Sequence, residues 1–174
     1  MNPGLIQVYT GDGKGKTTAA FGLAIRAWGR GLRVAIFQML KPGNSTGEQL
    51  ALAGLKPEIR IYPLGNGRFI YGREPEASEI EQTIDGWQDL VALATSGAVD
   101  LLIIDEISHA INCGLIEIDR VTAFLSNKPE ILEVVLTGRA MPVPILEMAD
   151  LITEMKAIKH PYQKGIAARE GIEY

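Results

Sequence analysis

This sequence predicts an α/β domain with a mainly parallel central sheet between two layers of helices, and three observations predict it. The first is a strand, a glycine loop and a helix in direct succession. Leu5-Ile-Gln-Val-Tyr9 is β-prone, Thr10-Gly-Asp-Gly-Lys-Gly15 carries too much glycine to extend it, and Lys16 onward is helix-forming. The second is Val99-Asp-Leu-Leu-Ile-Ile-Asp-Glu106, an apolar run without alternation that fits a central strand covered on both faces. The third is the alternation of strand and helix along the rest of the chain, which requires right-handed crossovers and parallel strands. Together they give a three-layer P-loop NTPase (RecA-like) domain. With 174 residues, 47% of them hydrophobic, the chain fills one core and is short for two, so residues 1–174 form a single domain.

The glycine loop follows G-x-x-x-x-G-K-[ST] with one departure: Thr10 stands where the first glycine belongs, and Gly11 and Gly13 supply the flexibility. Such a loop exposes backbone N–H groups, and the following helix adds unpaired N–H groups and a positive dipole end. Lys16 brings a mobile charge to phosphate oxygens and the Thr17 hydroxyl a ligand for Mg²⁺. The competing reading is a strand-to-helix turn that binds nothing; the flanking strand and helix favour phosphate.

Lys16–Gly29 reads as a helix with Phe21, Ile25 and Trp28 on one face, Trp28 serving core packing rather than stacking on a cofactor. Gly29 and Gly31 stop it, and Arg33–Gln38 is a second strand. Lys41–Gly47 is an irregular connection to a short helix around Glu48–Ala53, and Ile59–Tyr62 is a third strand. Pro63–Pro75 is too long for a tight turn and too apolar for a passive linker, which makes it a candidate binding loop. Ser78, with Glu81 three places on, is expected to cap a helix to about Ser96. Its buried stripe is Ile80, Ile84, Trp87, Leu90, Val91 and Ala94.

The Val99–Glu106 strand ends in two carboxylates, where parallel strands present residues to a ligand. Beside a phosphate loop, Asp105 and Glu106 are placed to hold Mg²⁺ directly or through water; the alternative is that they cap the next helix. Helices follow at Ile107–Cys113 and Ile118–Ser126, then a buried strand, Ile131–Thr137. Arg139 after it reaches a phosphate or carboxylate, or else forms a surface ion pair. Pro142–Ala149 is a helix, Leu151–Met155 a last strand, and a polar tail begins at Lys156.

A net charge of −4 with no Lys/Arg block argues against nucleic acid or an anionic membrane held by bulk electrostatics, though it leaves room for a local basic cleft. A single Cys113 excludes an internal disulfide framework and a multi-cysteine zinc site. No signal pattern and no apolar run of membrane-spanning length is present, so a soluble cytoplasmic protein is expected. His109 lies on a helix as a core or surface histidine, His160 beside Pro161 is a candidate ligand contact, and Cys113 is read as an inert buried thiol. An enzyme of this kind works by holding phosphates and Mg²⁺ while the substrate supplies the nucleophile.

Thr10-Gly-Asp-Gly-Lys-Gly-Lys-Thr-Thr-Ala-Ala-Phe-Gly22, Arg26-Ala-x-Gly29, Phe37-Gln38 with Lys41, Asp105-Glu106, Thr137-Gly-Arg139, Lys159-His160 and Gly171-Ile-x-Tyr174 resemble the ATP:corrinoid adenosyltransferases of the CobA/CobO/BtuR type. The resemblance runs through nearly the whole chain in order and accounts for Thr10, since that family's loop opens on threonine. It implies that a Co(I) corrinoid attacks C5′ of ATP, forming a cobalt–carbon bond and expelling triphosphate, with ATP lying in the loop opposite to the usual direction.

By the same resemblance Gly11, Asp12, Gly13, Lys14, Gly15, Lys16, Thr17 and Thr18 hold the triphosphate, with Arg139 also on ATP. Lys16 offsets leaving-group charge, and Thr17, Asp105 and Glu106 hold Mg²⁺ or Mn²⁺. Lys16, Thr17 and Glu106 are the implied catalytic set. The family's Phe-x-Trp pair, set against the lower face of the corrinoid, corresponds here to Phe69-Ile-Tyr71, with tyrosine for tryptophan; a plain apolar anchor for the loop is the rival role. His160 is a further implied corrinoid contact. A homodimer, a flavoprotein electron donor and a cobalamin or cob(I)yrinic acid a,c-diamide substrate are implied as well. Enteric members carry a polar N-terminal extension over the corrinoid; this chain starts almost at its first strand, so access is more open or another subunit closes it. Against this stand two other classes: a different P-loop ATPase or phosphotransferase, and a non-catalytic nucleotide-binding regulator.

Overall fold

The computed structural model describes residues 3–67, 70 and 73–173. Six strands, β1 (Ile6–Thr10), β2 (Val34–Gln38), β3 (Arg60–Pro63), β4 (Leu101–Asp105), β5 (Glu133–Thr137) and β6 (Leu151–Glu154), form one sheet in the order β3-β2-β4-β5-β1-β6. Every neighbouring pair is parallel. The helices are α1 (Lys16–Trp28), α2 (Gly47–Leu52), α3 (Ala77–Thr95), α4 (Ile107–Asn112), α5 (Ile118–Ser126) and α6 (Val143–Met148), with a 3₁₀ turn at Pro161–Lys164.

The unbroken apolar run of β4 follows from its position. Leu101 and Ile103 join a core with Ala20, Phe21, Ala24 and Ala27 of α1, while Leu102 and Ile104 join a second core with Trp87, Leu90 and Phe124. A strand that feeds both cores has no polar face. The C-terminal ends of β1, β4 and β5 therefore open on the same edge of the sheet, with β5 between the other two.

Two local expectations are corrected. On α1, Ile25 is 50% exposed, and the buried line is Ala20, Phe21, Ala24 and Ala27. The three alanines let the helix approach the sheet closely, so the bulkier Ile25 falls outside the contact. Trp28 sits at the margin of that core and donates its indole N–H to the Pro57 carbonyl at 2.7 Å. On α3 the cap is Glu76, not Ser78, in a capping box with Glu79. The reason is electrostatic: Arg73 grips both Glu79 oxygens at 2.8 Å, and the Glu76 N–H reaches Glu79 at 2.9 Å. The Arg73 contact holds the Glu79 carboxyl at about 2, well below the usual range. That grip starts the helix before Ser78.

Trp87 is buried and meets Phe124 edge to face, with ring centroids 5.6 Å apart. Trp87→Ala is expected to destabilise the domain by about 3–5 kcal/mol in urea unfolding. A loss under about 1 kcal/mol would show that this helix layer is not part of the cooperative core.

Candidate functional site

The glycine loop takes a shape that side chains resist. Gly11 and Gly15 have φ of +95° and +119°. A Cβ on Gly11 or Gly13 would lie 2.5 or 2.6 Å from the Met155 carbonyl oxygen, because the loop is pressed against the exit of β6. Gly13 N–H donates to that same oxygen. Lys16, the first residue of α1, is buried, and its ammonium folds back over the loop to the carbonyls of Gly11 (2.7 Å) and Gly13 (2.8 Å). Burial lowers its pKa from the ordinary lysine value, and Arg139 pushes the same way against Glu106.

Asp105, at the end of β4, has no exposed surface. Its Oδ1 accepts from the Thr17 hydroxyl at 2.8 Å and the Thr137 hydroxyl at 2.7 Å. Its Oδ2 accepts from Gln38 Nε2 at 3.3 Å and lies 3.4 Å from the Lys41 ammonium. The first turn of α1, β4, β5 and β2 are thus joined at one carboxylate. The Thr137 hydroxyl also accepts from the Glu106 N–H at 2.9 Å. Glu106 has φ +61°, a left-handed backbone that costs a non-glycine residue about 1–2 kcal/mol. Burial and the neighbouring Asp105 raise its carboxyl pKa, while Lys16, Lys41 and Arg139 oppose them.

The turn after β5 is equally constrained. Gly138 has φ +144°, and a Cβ there would fall 1.9 Å from the Ser108 hydroxyl oxygen, which itself donates to the Arg139 carbonyl at 2.6 Å. Arg139 is exposed, and its guanidinium makes no ion pair among the described residues, yet its charge acts on both Lys16 and Glu106. Asp12 and Thr18 are exposed beside the loop. Lys14 turns outward to the tail, donating to the Ile172 carbonyl at 2.6 Å and pairing with Glu173 at 3.0 Å.

His160 lies in a cavity of about 370 Å³ between loop and tail, with Lys14, Lys159 and Arg169, and its Nδ1 accepts from the Tyr162 N–H. Phe69 and Tyr71 lie outside the described residues. His109 is half-buried with its pKa lowered by burial, and burial raises the half-buried Cys113 thiol. Neither joins the carboxylate cluster's hydrogen bonds given above. Three members of the cluster, Gln38, Lys41 and Thr137, were not singled out as site residues from composition or spacing. The available signals are that all three belong to the motifs that carry the family resemblance, and that Gln38 and Thr137 are polar residues at the C-terminal ends of β2 and β5.

No group of three or more His, Cys, Asp or Glu side chains converges among the described residues. Two carboxylates and one hydroxyl are nevertheless a donor set that fits Mg²⁺, which takes few protein ligands and fills its octahedron with phosphate oxygens and water. No helix among the described residues is long and apolar enough to cross a membrane.

The sequence model of the family described as ATP:corrinoid adenosyltransferase BtuR/CobO/CobP matches residues 2–174. A corrinoid adenosyltransferase of Pseudomonas aeruginosa is 34% identical over 171 residues, covering 98% of this chain and 84% of the relative. One from a Sinorhizobium species is 36% identical over 173 residues (98% and 80%), and one from Escherichia coli K12 is 32% identical over 171 residues (98% and 86%). Among solved structures, the flagellar accessory protein FlaH of Methanocaldococcus jannaschii superposes with a TM-score of 0.57 at 15% identity, over 88% of this chain and 72% of that one. That likeness concerns the fold alone.

Glu106 carries a cost in the absence of a ligand. Its raised carboxyl pKa means that ionising it opposes folding, so the penalty is absent below the ordinary glutamate range and develops as pH rises through and above it. Glu106→Gln is therefore expected to raise the unfolding midpoint of the ligand-free protein at pH 7 and to lose that advantage near pH 4. Denaturation at the two pH values checks this; a variant destabilised at both would contradict it.

Proposed function

The chain belongs to the ATP:corrinoid adenosyltransferase family, and from that premise we propose how its residues divide the work. The enzyme transfers the adenosyl group of ATP to a corrinoid. In the proposed reaction the electron pair of Co(I) forms the cobalt–carbon bond at C5′, the C5′–O bond breaks, and its pair leaves on triphosphate. Cobalt is formally oxidised by two electrons, and no protein nucleophile is needed. The observation that supports this division is the convergence of Lys16, Thr17, Asp105 and Glu106, with Arg139 near, on one edge of the sheet.

Lys16 leaves its two carbonyl partners for phosphate oxygens and offsets the charge that grows on triphosphate. The N–H groups of residues 11–18 cradle the rest, and Arg139 neutralises an outer oxygen. Thr17 and Glu106 hold Mg²⁺ or Mn²⁺, with Asp105 orienting the Thr17 hydroxyl and acting through water. Bound there, the ion supplies Lewis-acid stabilisation of the leaving group. Phe69 and Tyr71 exclude a ligand from the lower face of the corrinoid, and His160 is a further contact to it. A homodimer, a cytoplasmic setting and a flavoprotein reductant complete the proposal. Cobalamin and cob(I)yrinic acid a,c-diamide both remain within it as substrates.

The test is the product made from ATP. Triphosphate formed only when a reduced corrinoid is present is the expected result; ADP would overturn the reading in favour of phosphoryl transfer. Lys16→Ala should remain folded and lose about 2–4 kcal/mol of transition-state stabilisation, roughly 30- to 1000-fold in rate. A folded variant with near-normal turnover would refute the role of the loop.

Phe69→Ala separates contact from packing. It should impair reaction from Co(II) cobalamin with a weak reductant far more than reaction from chemically prepared Co(I). Equal losses in both assays, with a lower melting temperature, would leave Phe69 as a loop anchor only.

A further inference from the structure

Three residues beyond the end of β2, Lys41 meets one oxygen of Asp105 while Thr17, just after the glycine loop, meets the other. Its ammonium lies 3.4 Å from Asp105 Oδ2, its side chain is 28% exposed, and its charge reaches Glu106 as that of Lys16 does. The segment that carries it is braced to an unusual degree for an irregular connection. Gln49, buried at the start of α2, donates from Nε2 to Gln38 Oε1 at 2.6 Å and to the Pro42 carbonyl at 3.0 Å, and its Oε1 accepts from the Ser45 N–H at 2.8 Å. Ser45 in turn donates its hydroxyl to the Pro42 carbonyl at 2.8 Å. On the other side, the Gly65 N–H donates to the Lys41 carbonyl at 3.2 Å, and a Cβ on Gly65 would fall 2.0 Å from the Leu40 backbone. Gln38, the far end of this brace, is the same side chain that donates to Asp105.

A counter-ion role does not account for this. Asp105 already accepts from two hydroxyls and an amide, so balancing its charge does not by itself require the Lys41 backbone to be braced from both sides. A lysine on a flexible four-carbon stem, with its backbone fixed, is instead suited to move from a carboxylate to an anion placed beside it. We propose that Lys41 is a second catalytic lysine, meeting the triphosphate from the β2 side while Lys16 meets it from the loop, and that Gln49 is a positioning residue acting through the Lys41–Thr46 segment. This rests on the reading that the triphosphate lies over the glycine loop. The ligand chemistry is a polyphosphate; the nucleoside makes no demand on Lys41.

The probe is inorganic tripolyphosphate with Mg²⁺, titrated calorimetrically into the full chain, beside steady-state adenosyl transfer. Lys41→Met is expected to weaken tripolyphosphate binding at least tenfold and lower kcat by a similar factor while remaining folded at the assay temperature, as circular dichroism would show. Lys41→Arg should restore most of the binding. Gln49→Met should weaken it several-fold, and the double variant should be no worse than Lys41→Met alone, because the brace acts only through the lysine. If Lys16→Ala abolishes tripolyphosphate binding while Lys41→Met leaves it unchanged, this inference falls and the loop assignment survives. If the unmodified chain fails to bind tripolyphosphate at all, both fall together. Fully additive losses in the double variant would remove Gln49 from the positioning role.

Discussion

A fully buried carboxylate is the constraint on which this site depends. Placing the Asp105 charge away from water is unfavourable unless donors surround it, and the fold supplies them from different places in the sequence: Thr17 from the first turn of α1, Thr137 from β5 and Gln38 from β2, with Lys41 close by. Because each donor comes from a different element, satisfying one charge fixes the relative positions of all of them. Thr137 extends the constraint by accepting from the Glu106 N–H, so the left-handed backbone of Glu106 is held by the same group that holds Asp105. Strain at Glu106 and a raised carboxyl pKa are then tolerated in the ligand-free protein, the pattern expected of groups arranged for a ligand rather than for stability.

What could be read from the sequence was what is local. The glycine loop is legible because its spacing needs only backbone geometry, and the two carboxylates because they end an apolar run that must be a central strand. The strand order is not legible: nothing near Thr137 says that β5 lies between β1 and β4, yet that placement alone brings its hydroxyl to Asp105. The pairing of Gln38 is hidden for the same reason, since its partners Asp105 and Gln49 are 67 and 11 residues away. The cap of α3 was missed because serine is ordinarily the better cap, and the Arg73–Glu79 contact that overrules it is set by the preceding loop.

The comparison with FlaH shows how far architecture alone goes. Two chains at 15% identity share a fold, while the proposed chemistry of this one rests on a handful of side chains at the sheet edge. None of these is a strong nucleophile in its own right. The site gathers cations, hydroxyls and carboxylates, which is what the proposed reaction needs, since there the substrate supplies the electron pair and the protein has only to stabilise a departing polyanion.

The most direct measurement of whether Asp105 organises the site is a double-mutant cycle on Mg–ATP affinity, with Thr137→Val and Asp105→Asn made singly and together. If Thr137 acts by fixing Asp105, its substitution should weaken binding in the native background and have almost no further effect once Asp105 is replaced, a coupling of about 1 kcal/mol or more. Strictly additive losses would contradict the account, because they would mean that the two groups serve the ligand independently.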